Sequence, residues 1–360
     1  MSATRLKKGT LSLLRGMGTF QLLRDAAWRR RRLLILCYHG VSLCDEHVWR
    51  PTLYMTEKVL RARFELLRAG GYVVLPLGEA LERLAGGTLP PRSVALTFDD
   101  GGYDFYERAY PLLREFGLPA TVYLSTYYSE HGVPIFPLAC SYLMWKHGGR
   151  VEGVEVDGLS SSLDLTTETG HRDALRALTR HAREHRLRDE EKQELARRLA
   201  EALELDYEHL LRERIVQLMG PEEVGELARQ GVDFQLHTHR HRSPVSELAY
   251  REEIRENREA IRRMTGVEPT HFCYPSGCVR PEFEGWLAAE GVLSAVTCRP
   301  GLAVTRTNPF RLPRLLDHAG LSAVEIEAWL TGAAELLPRR RYPGPCGGAV
   351  SPSAEGIWME

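Results

Sequence analysis

Val94-Ala95-Leu96 leads directly into Thr97-Phe98-Asp99-Asp100-Gly101, and a second glycine, Gly102, follows. An apolar run that stops at two adjacent carboxylates places both of them where a strand turns into a loop. Burying such a pair without partners is costly, so the fold must bring partners to it. One carboxylate can hold a cation while the other takes a proton. Candidate partners lie far downstream, in His237-Thr238-His239-Arg240-His241.

The rest of the chain supplies a rhythm of strands and helices. Leu33-Leu34-Ile35-Leu36-Cys37-Tyr38-His39-Gly40 reads as a buried strand ending in a polar turn. Helices are expected over 56–69 and 78–85, with Thr56 as the N-cap of the first. Strands are expected over 72–75 and 120–124, with a helix over 104–116 before the latter. This alternation argues for an α/β fold with a mostly parallel sheet or barrel. In such folds chemistry gathers at the C-terminal ends of strands, where His39, Asp99 and Asp100 all lie. The rhythm breaks over about 127–218, where residues 172–205 are charged and helical in pattern. That stretch reads as a helical insertion whose charge run is a solvated face. Strands then resume over 232–236, near 272–274 and over 293–297, with helices over 222–229 and 251–265. The tail, 338–360, is rich in Gly, Pro and Ser and is expected to be poorly ordered.

Composition excludes some function classes. Of 360 residues, 43% are hydrophobic and 26% charged, with a net charge of −1, so no basic field argues for a nucleic-acid partner. Seven cysteines, scattered and without a C-x-x-C pair, read as a reduced cytosolic protein. No run is apolar and long enough to span a bilayer, and 1–32 lacks the pattern of a signal peptide. That segment is basic and amphipathic: Arg15, Arg24 and Arg29 to Arg32 are interleaved with Leu11, Leu14, Phe20 and Leu23. It suits either peripheral contact with an anionic membrane face or packing on the domain with a solvated basic side. Apolar spacing does not separate the two.

His237 and His241 are four apart, a spacing that puts two imidazoles on one side of a turn. With one carboxylate they make three ligands and leave a coordination position for water, as in catalytic zinc sites. Bound metal lowers the pKa of that water, and the second aspartate accepts its proton. The expectation is a metal-dependent hydrolase, with a further histidine needed as acid for the leaving group.

On Thr97–Gly101 and His237–His241 the sequence resembles the polysaccharide deacetylase family, also called the NodB-homology or carbohydrate esterase family 4 group, which carries T-F-D-D-G and H-[ST]-x-x-H. The resemblance spans roughly 33–315 apart from the insertion. It implies a distorted (β/α)7-type barrel over 33–337 and a divalent metal, usually zinc. It implies Asp99 as general base, Asp100, His237 and His241 as ligands, and Thr238 as support for the loop between the histidines. The implied substrate is an acetylated carbohydrate, losing an N-acetyl in preference to an O-acetyl group.

The third motif departs from the family's Arg-x-Pro-Tyr. Here it reads Phe272-Cys273-Tyr274-Pro275-Ser276-Gly277, with Cys273 at the arginine's place. The backbone N–H near Tyr274 is expected to serve an oxyanion, and Arg314, from another strand, to stand in for the missing arginine. The family's C-terminal Leu-x-x-His motif, which supplies the acid, has no good match here: His318 follows Asp317 but lacks the expected apolar strand before it. His39, before the Asp-Asp motif, suits that role and resembles the circularly permuted branch that acts on poly-N-acetylglucosamine exopolysaccharides. Two rivals remain. One is a PHP-type metallophosphoesterase, in which His239 and not His241 would bind metal. The other is a non-catalytic carbohydrate-binding or assembly protein on a degenerate scaffold.

Overall fold

The computed structural model describes residues 3–149, 151–159 and 162–337; the expected tail, 338–360, lies outside them. Among the described residues ten strands form: β1 (Leu34–Tyr38), β2 (Gly40–Val41), β3 (Tyr54–Met55), β4 (Val73–Val74), β5 (Ser93–Phe98), β6 (Thr121–Leu124), β7 (Asp233–Leu236), β8 (His271–Cys273), β9 (Ser294–Val296) and β10 (Leu315–Leu316). Eight of them make one parallel sheet in the order β10-β1-β5-β6-β7-β8-β9, with β4 beside the start of β5. Strands β1, β5 and β6 are buried along their whole length. Their sequences therefore run apolar without alternation, as expected of parallel strands covered on both faces. A parallel bridge between Val296 and Leu312 joins the β9 edge to the segment that leads into β10. The sheet thus curls round towards closure as an α/β half-barrel, in keeping with the distorted (β/α)7-type barrel expected.

Helices cover the outer face. Thr56 caps Glu57–Ala69, its hydroxyl accepting the Val59 N–H, and Leu60, Phe64 and Leu67 face inward. The helix expected over 104–116 is two pieces: a π-helical turn, Phe105–Ala109, and an α-helix, Tyr110–Phe116. Pro111 brings no N–H to the ladder, so the preceding turn widens and the helix restarts.

The insertion builds a hydrophobic cluster of its own, with Leu143, Leu178, Leu199 and Ile215 at its centre. Glu168–Glu184 and Asp189–Ala202 are its longest helices. Its last segment is stitched to the Asp-Asp loop: Tyr103 N–H donates to Gln217 O and Met219 N–H to Gly101 O, both at 2.9 Å. The Arg214 guanidinium lies 3.7 Å from the centre of the Tyr103 ring.

The N-terminal segment packs on the domain. Its helices Ala3–Gly16 and Thr19–Asp25 lie against Ala323–Thr331. Leu11 and Phe20 are buried in the main core, and Arg15 pairs with Glu327 at 2.8 Å. Arg29 is fully buried, donating from Nε to Leu330 O (2.9 Å) and from Nη1 to Arg32 O (2.6 Å). Leu11 and Phe20 thus face protein, as in the domain-packing reading, while Leu13, Met17 and Leu22 of the same segment are exposed; the packing lends no support to the expected membrane contact. Among the described residues no helix is long and apolar enough to cross a membrane. Cys278 is disulfide-bonded, a departure from the all-thiol reading of the cysteines.

Candidate active site

Four strand ends deliver the site. His39 follows β1, Asp99 and Asp100 follow β5, His237 follows β7, and Cys273 closes β8. Because neighbouring parallel strands end together, residues from distant parts of the chain converge on one rim.

Asp100, His237 and His241 each offer a ligand atom, and these atoms lie within 4.8 Å of one another. The Asp100 Oδ1 is 3.2 Å from both His237 Nε2 and His241 Nε2. His237 Nδ1 sits 2.8 Å from the Cys273 carbonyl. That contact makes Nδ1 the protonated nitrogen and turns the Nε2 lone pair towards Asp100. Burial would raise the Asp100 carboxyl, but His241 and His237 against it hold it well below the usual carboxylate range. Burial pushes the His241 imidazole down towards the neutral form that binds metal. One carboxylate and two imidazoles at this spacing fit a divalent ion such as zinc.

Asp99 has a different environment. It is 3% exposed, and Arg314 grips it as a fork: Nη1 donates to Oδ1 at 2.6 Å and Nη2 to Oδ2 at 2.7 Å. Burial alone would raise this carboxyl, but the Arg314 charge holds it far below the usual range, helped by His39 and His237. Thiols flank the pair, with Cys37 Sγ 3.4 Å from Asp99 Oδ2 and Arg314 Nη2 donating to Cys273 Sγ at 3.1 Å. His39 Nε2 stands 3.9 Å from Asp99 Oδ2, and its Nδ1 has no hydrogen-bond partner among the described residues. Two adjacent aspartates thus acquire separate environments, one facing imidazoles and one facing a guanidinium.

The loop geometry is strained. Asp100, Thr238 and His241 take positive φ angles of 69°, 61° and 54°, each costing about 1–2 kcal/mol for a residue with a Cβ. Gly101, at φ 83°, has no such cost. Thr238 Oγ1 accepts the Arg242 N–H at 3.1 Å, tying the loop across itself.

One expected role changes. The Cys273–Tyr274 peptide turns its carbonyl to His237, so its N–H points the opposite way, to Val296 O at 3.5 Å. The Tyr274 amide is therefore not the oxyanion donor expected from sequence, and the Tyr274 hydroxyl donates to Phe310 O at 3.1 Å. His239 turns from the ligand set, its Nδ1 2.8 Å from Thr126 Oγ1. Beside the site runs a cleft lined by Arg50, Tyr54 and Asp104, with Leu138 and Gln217 of the insertion as its far wall. The sequence reading missed Glu253 and Asn257, which bond to the histidine loop from the helix behind it. Only their spacing on one helix face was available as a signal.

A family model described as polysaccharide deacetylase matches residues 86–291. The poly-β-1,6-N-acetyl-D-glucosamine N-deacetylase of Escherichia coli K12 is 34% identical over 100 residues, 28% of this chain and 15% of that protein. The protein of the same name from Staphylococcus epidermidis is 32% identical over 72 residues, 20% of this chain and 25% of that one. The chain therefore spans only a minor part of these relatives. Among solved structures, the Streptococcus pyogenes deacetylase PplD, in complex with acetate, superposes with a TM-score of 0.55 at 18% identity, covering 83% of this chain and 98% of that one. IcaB from Ammonifex degensii gives 0.50 at 18% identity, covering 83% and 97%. At these identities the likeness concerns the fold.

Proposed function

Because this chain belongs to the polysaccharide deacetylase family, matching its model over more than half its length, we propose that it is a metal-dependent hydrolase of a carbon–nitrogen bond. In this reading it removes an N-acetyl group from a glycan. The observation that carries the reading is the division of labour between Asp99 and Asp100. A divalent ion held by Asp100, His237 and His241, zinc in this reading, would acidify water and offset negative charge at the acetyl carbonyl.

The chain's own residues do the rest. Asp99 accepts the proton of the attacking water. The Arg314 fork fixes the direction of that carboxylate and keeps it ionised, at some loss of basicity. His39 donates a proton from Nε2 to the departing sugar nitrogen. An amine leaves poorly without that proton, so a histidine acid favours N- over O-deacetylation. The cleft beside His39 and Asp100 would receive the sugar, with Tyr54 and Arg50 as polar walls. Names of relatives support a poly-N-acetylglucosamine type of substrate.

The test is metal stoichiometry by mass spectrometry of wild type, Asp100→Ala, His239→Ala and His241→Ala, followed by acetate release from N-acetylglucosamine oligomers. Metal lost in Asp100→Ala and His241→Ala but kept in His239→Ala, with acetate released by wild type, is the expected result. Metal lost in His239→Ala alone would favour the phosphoesterase reading, which the turn of His239 towards Thr126 opposes. The departure at Cys273 keeps a second reading, a non-catalytic carbohydrate binder. Acetate release that falls about 10²–10⁴-fold in Asp99→Asn, with metal retained, excludes it.

A further inference from the structure

One turn of the helix Glu247–Thr265 holds the histidine loop from behind. Glu253 and Asn257 are four apart and share a helix face; they are 1% and 0% exposed. Asn257 Oδ1 accepts the His237 N–H at 2.9 Å. Its Nδ2 donates to Leu124 O at 2.9 Å and to Thr126 Oγ1 at 3.0 Å. Thr126 Oγ1 in turn meets His239 Nδ1 at 2.8 Å. The Glu253 carboxylate accepts the Arg240 N–H at 2.8 Å, Arg240 Nη1 at 2.9 Å and Arg242 Nε at 2.7 Å. The first imidazole is thus anchored through its own amide, and the residues flanking the second through Arg240 and Arg242.

Between these anchors the chain is strained, since Thr238 and His241 both sit in the left-handed region. Such conformations persist only where the surroundings over-determine them. The brace is well placed to do this. The contacts are made by two buried side chains on one helix, and those to His237, Arg240 and Arg242 fall on the loop that carries the two candidate ligands. Without it, the loop would relax and the two Nε2 atoms would no longer converge on Asp100.

We propose that Glu253 and Asn257 are positioning residues for the metal, pre-aiming His237 and His241 and thereby setting the affinity of the site for a divalent ion. This rests on the metal-site reading given above. Partners one bond removed from the ligands typically contribute 10–100-fold in metal affinity, and that is the size of effect expected here.

The test compares wild type, Glu253→Gln and Asn257→Leu in three measurements. These are zinc affinity by competition with a chromophoric chelator, the visible absorption of the Co²⁺-loaded protein, and thermal melting of the metal-free protein. The expected result is zinc affinity at least 10-fold weaker in both variants, an altered Co²⁺ spectrum, and a metal-free melting temperature within a few degrees of wild type. Unchanged affinity and spectrum in either variant would overturn the proposal whatever the melting temperature does. So would failure of both variants to fold before metal is added, because the brace would then serve the fold alone. Where one variant fails to fold, the other decides by the same affinity and spectrum. A wild type that binds no zinc or cobalt would instead sink the metal reading itself, which the wild-type arm reveals alone.

Discussion

At the scale of single residues, the proposed base is held by the two-point fork from Arg314 to Asp99. Lysine at 314 would keep the charge but present one point donor in place of two parallel ones. Arg314→Lys should lower kcat about 10–100-fold, as misplaced catalytic groups do, with metal content unchanged, as read by acetate release beside elemental analysis. Asp99, Asp100, His237 and His241 were legible because their motifs are local. The Arg314 contact was nameable but not derivable: it depends on register, and Leu315 sits opposite Leu36, below the strand end that carries His39. Only a long side chain running up the sheet interior, past the Tyr123 ring, closes that distance. Asp104, in the cleft wall, makes a pH prediction. Burial pushes its carboxyl up to about 7, despite the Val41 N–H that it accepts. Unfolded, it titrates near 4. Between those values the folded state keeps a proton that the unfolded chain has shed, so stability falls as pH rises and levels off above about 7. Asp104→Asn lacks that component. In urea titrations of the metal-free protein, its stability should match wild type near pH 4 and exceed it progressively up to pH 7.

At the scale of elements, apolar runs located β1 and β4 to β9 within a residue or two, because parallel strands buried on both faces have little freedom in composition, whereas the two-residue strands β2, β3 and β10 were not located. The helix over 104–116 was legible as helix but not as a π-turn followed by an α-helix, since the effect of Pro111 on the preceding turn depends on what packs there. The insertion was legible as a break in rhythm. Its stitching to the Asp-Asp loop was not, because that pairing uses backbone groups at Gly101, Tyr103, Gln217 and Met219, which carry no side-chain signal. Gly101 shows how little slack this junction has. A Cβ there would come within 2.3 Å of Leu124 Cδ1, a buried side chain, at a φ of 83°. Gly101→Ala combines overlap with backbone strain and should cost about 2–4 kcal/mol, seen as a lower urea midpoint. Zinc affinity should weaken too, since Asp100 is the adjoining residue.

At the scale of the whole molecule, the cleft runs between His39, Tyr54 and Asp104 of the barrel and Leu138, Val216 and Leu218 of the insertion, and the N-terminal helices pack on Ala323–Thr331. Whether 1–32 contacted a membrane or the domain was not legible, because one amphipathic stripe serves both. The packing that is seen depends on the matching surface on Ala323–Thr331, some 300 residues away along the chain. Arg29 anchors that contact. Arg29→Met keeps the apolar stem but strands the carbonyls of Leu330 and Arg32, which should cost about 2–4 kcal/mol. The check is a lower melting temperature with kcat at 25 °C unaltered, since the anchor lies away from the site. The same long-range closure governs the proposed base, whose guanidinium partner arrives 215 residues later. A nascent chain leaves the ribosome at roughly 5–20 residues per second. For tens of seconds of each synthesis, then, Asp99 exists without the cation that steadies it. During that interval the emerging barrel carries a carboxylate that its own interior cannot yet accommodate, so the strand that bears it should dock late, and translation that stalls before residue 314 should leave no active enzyme behind.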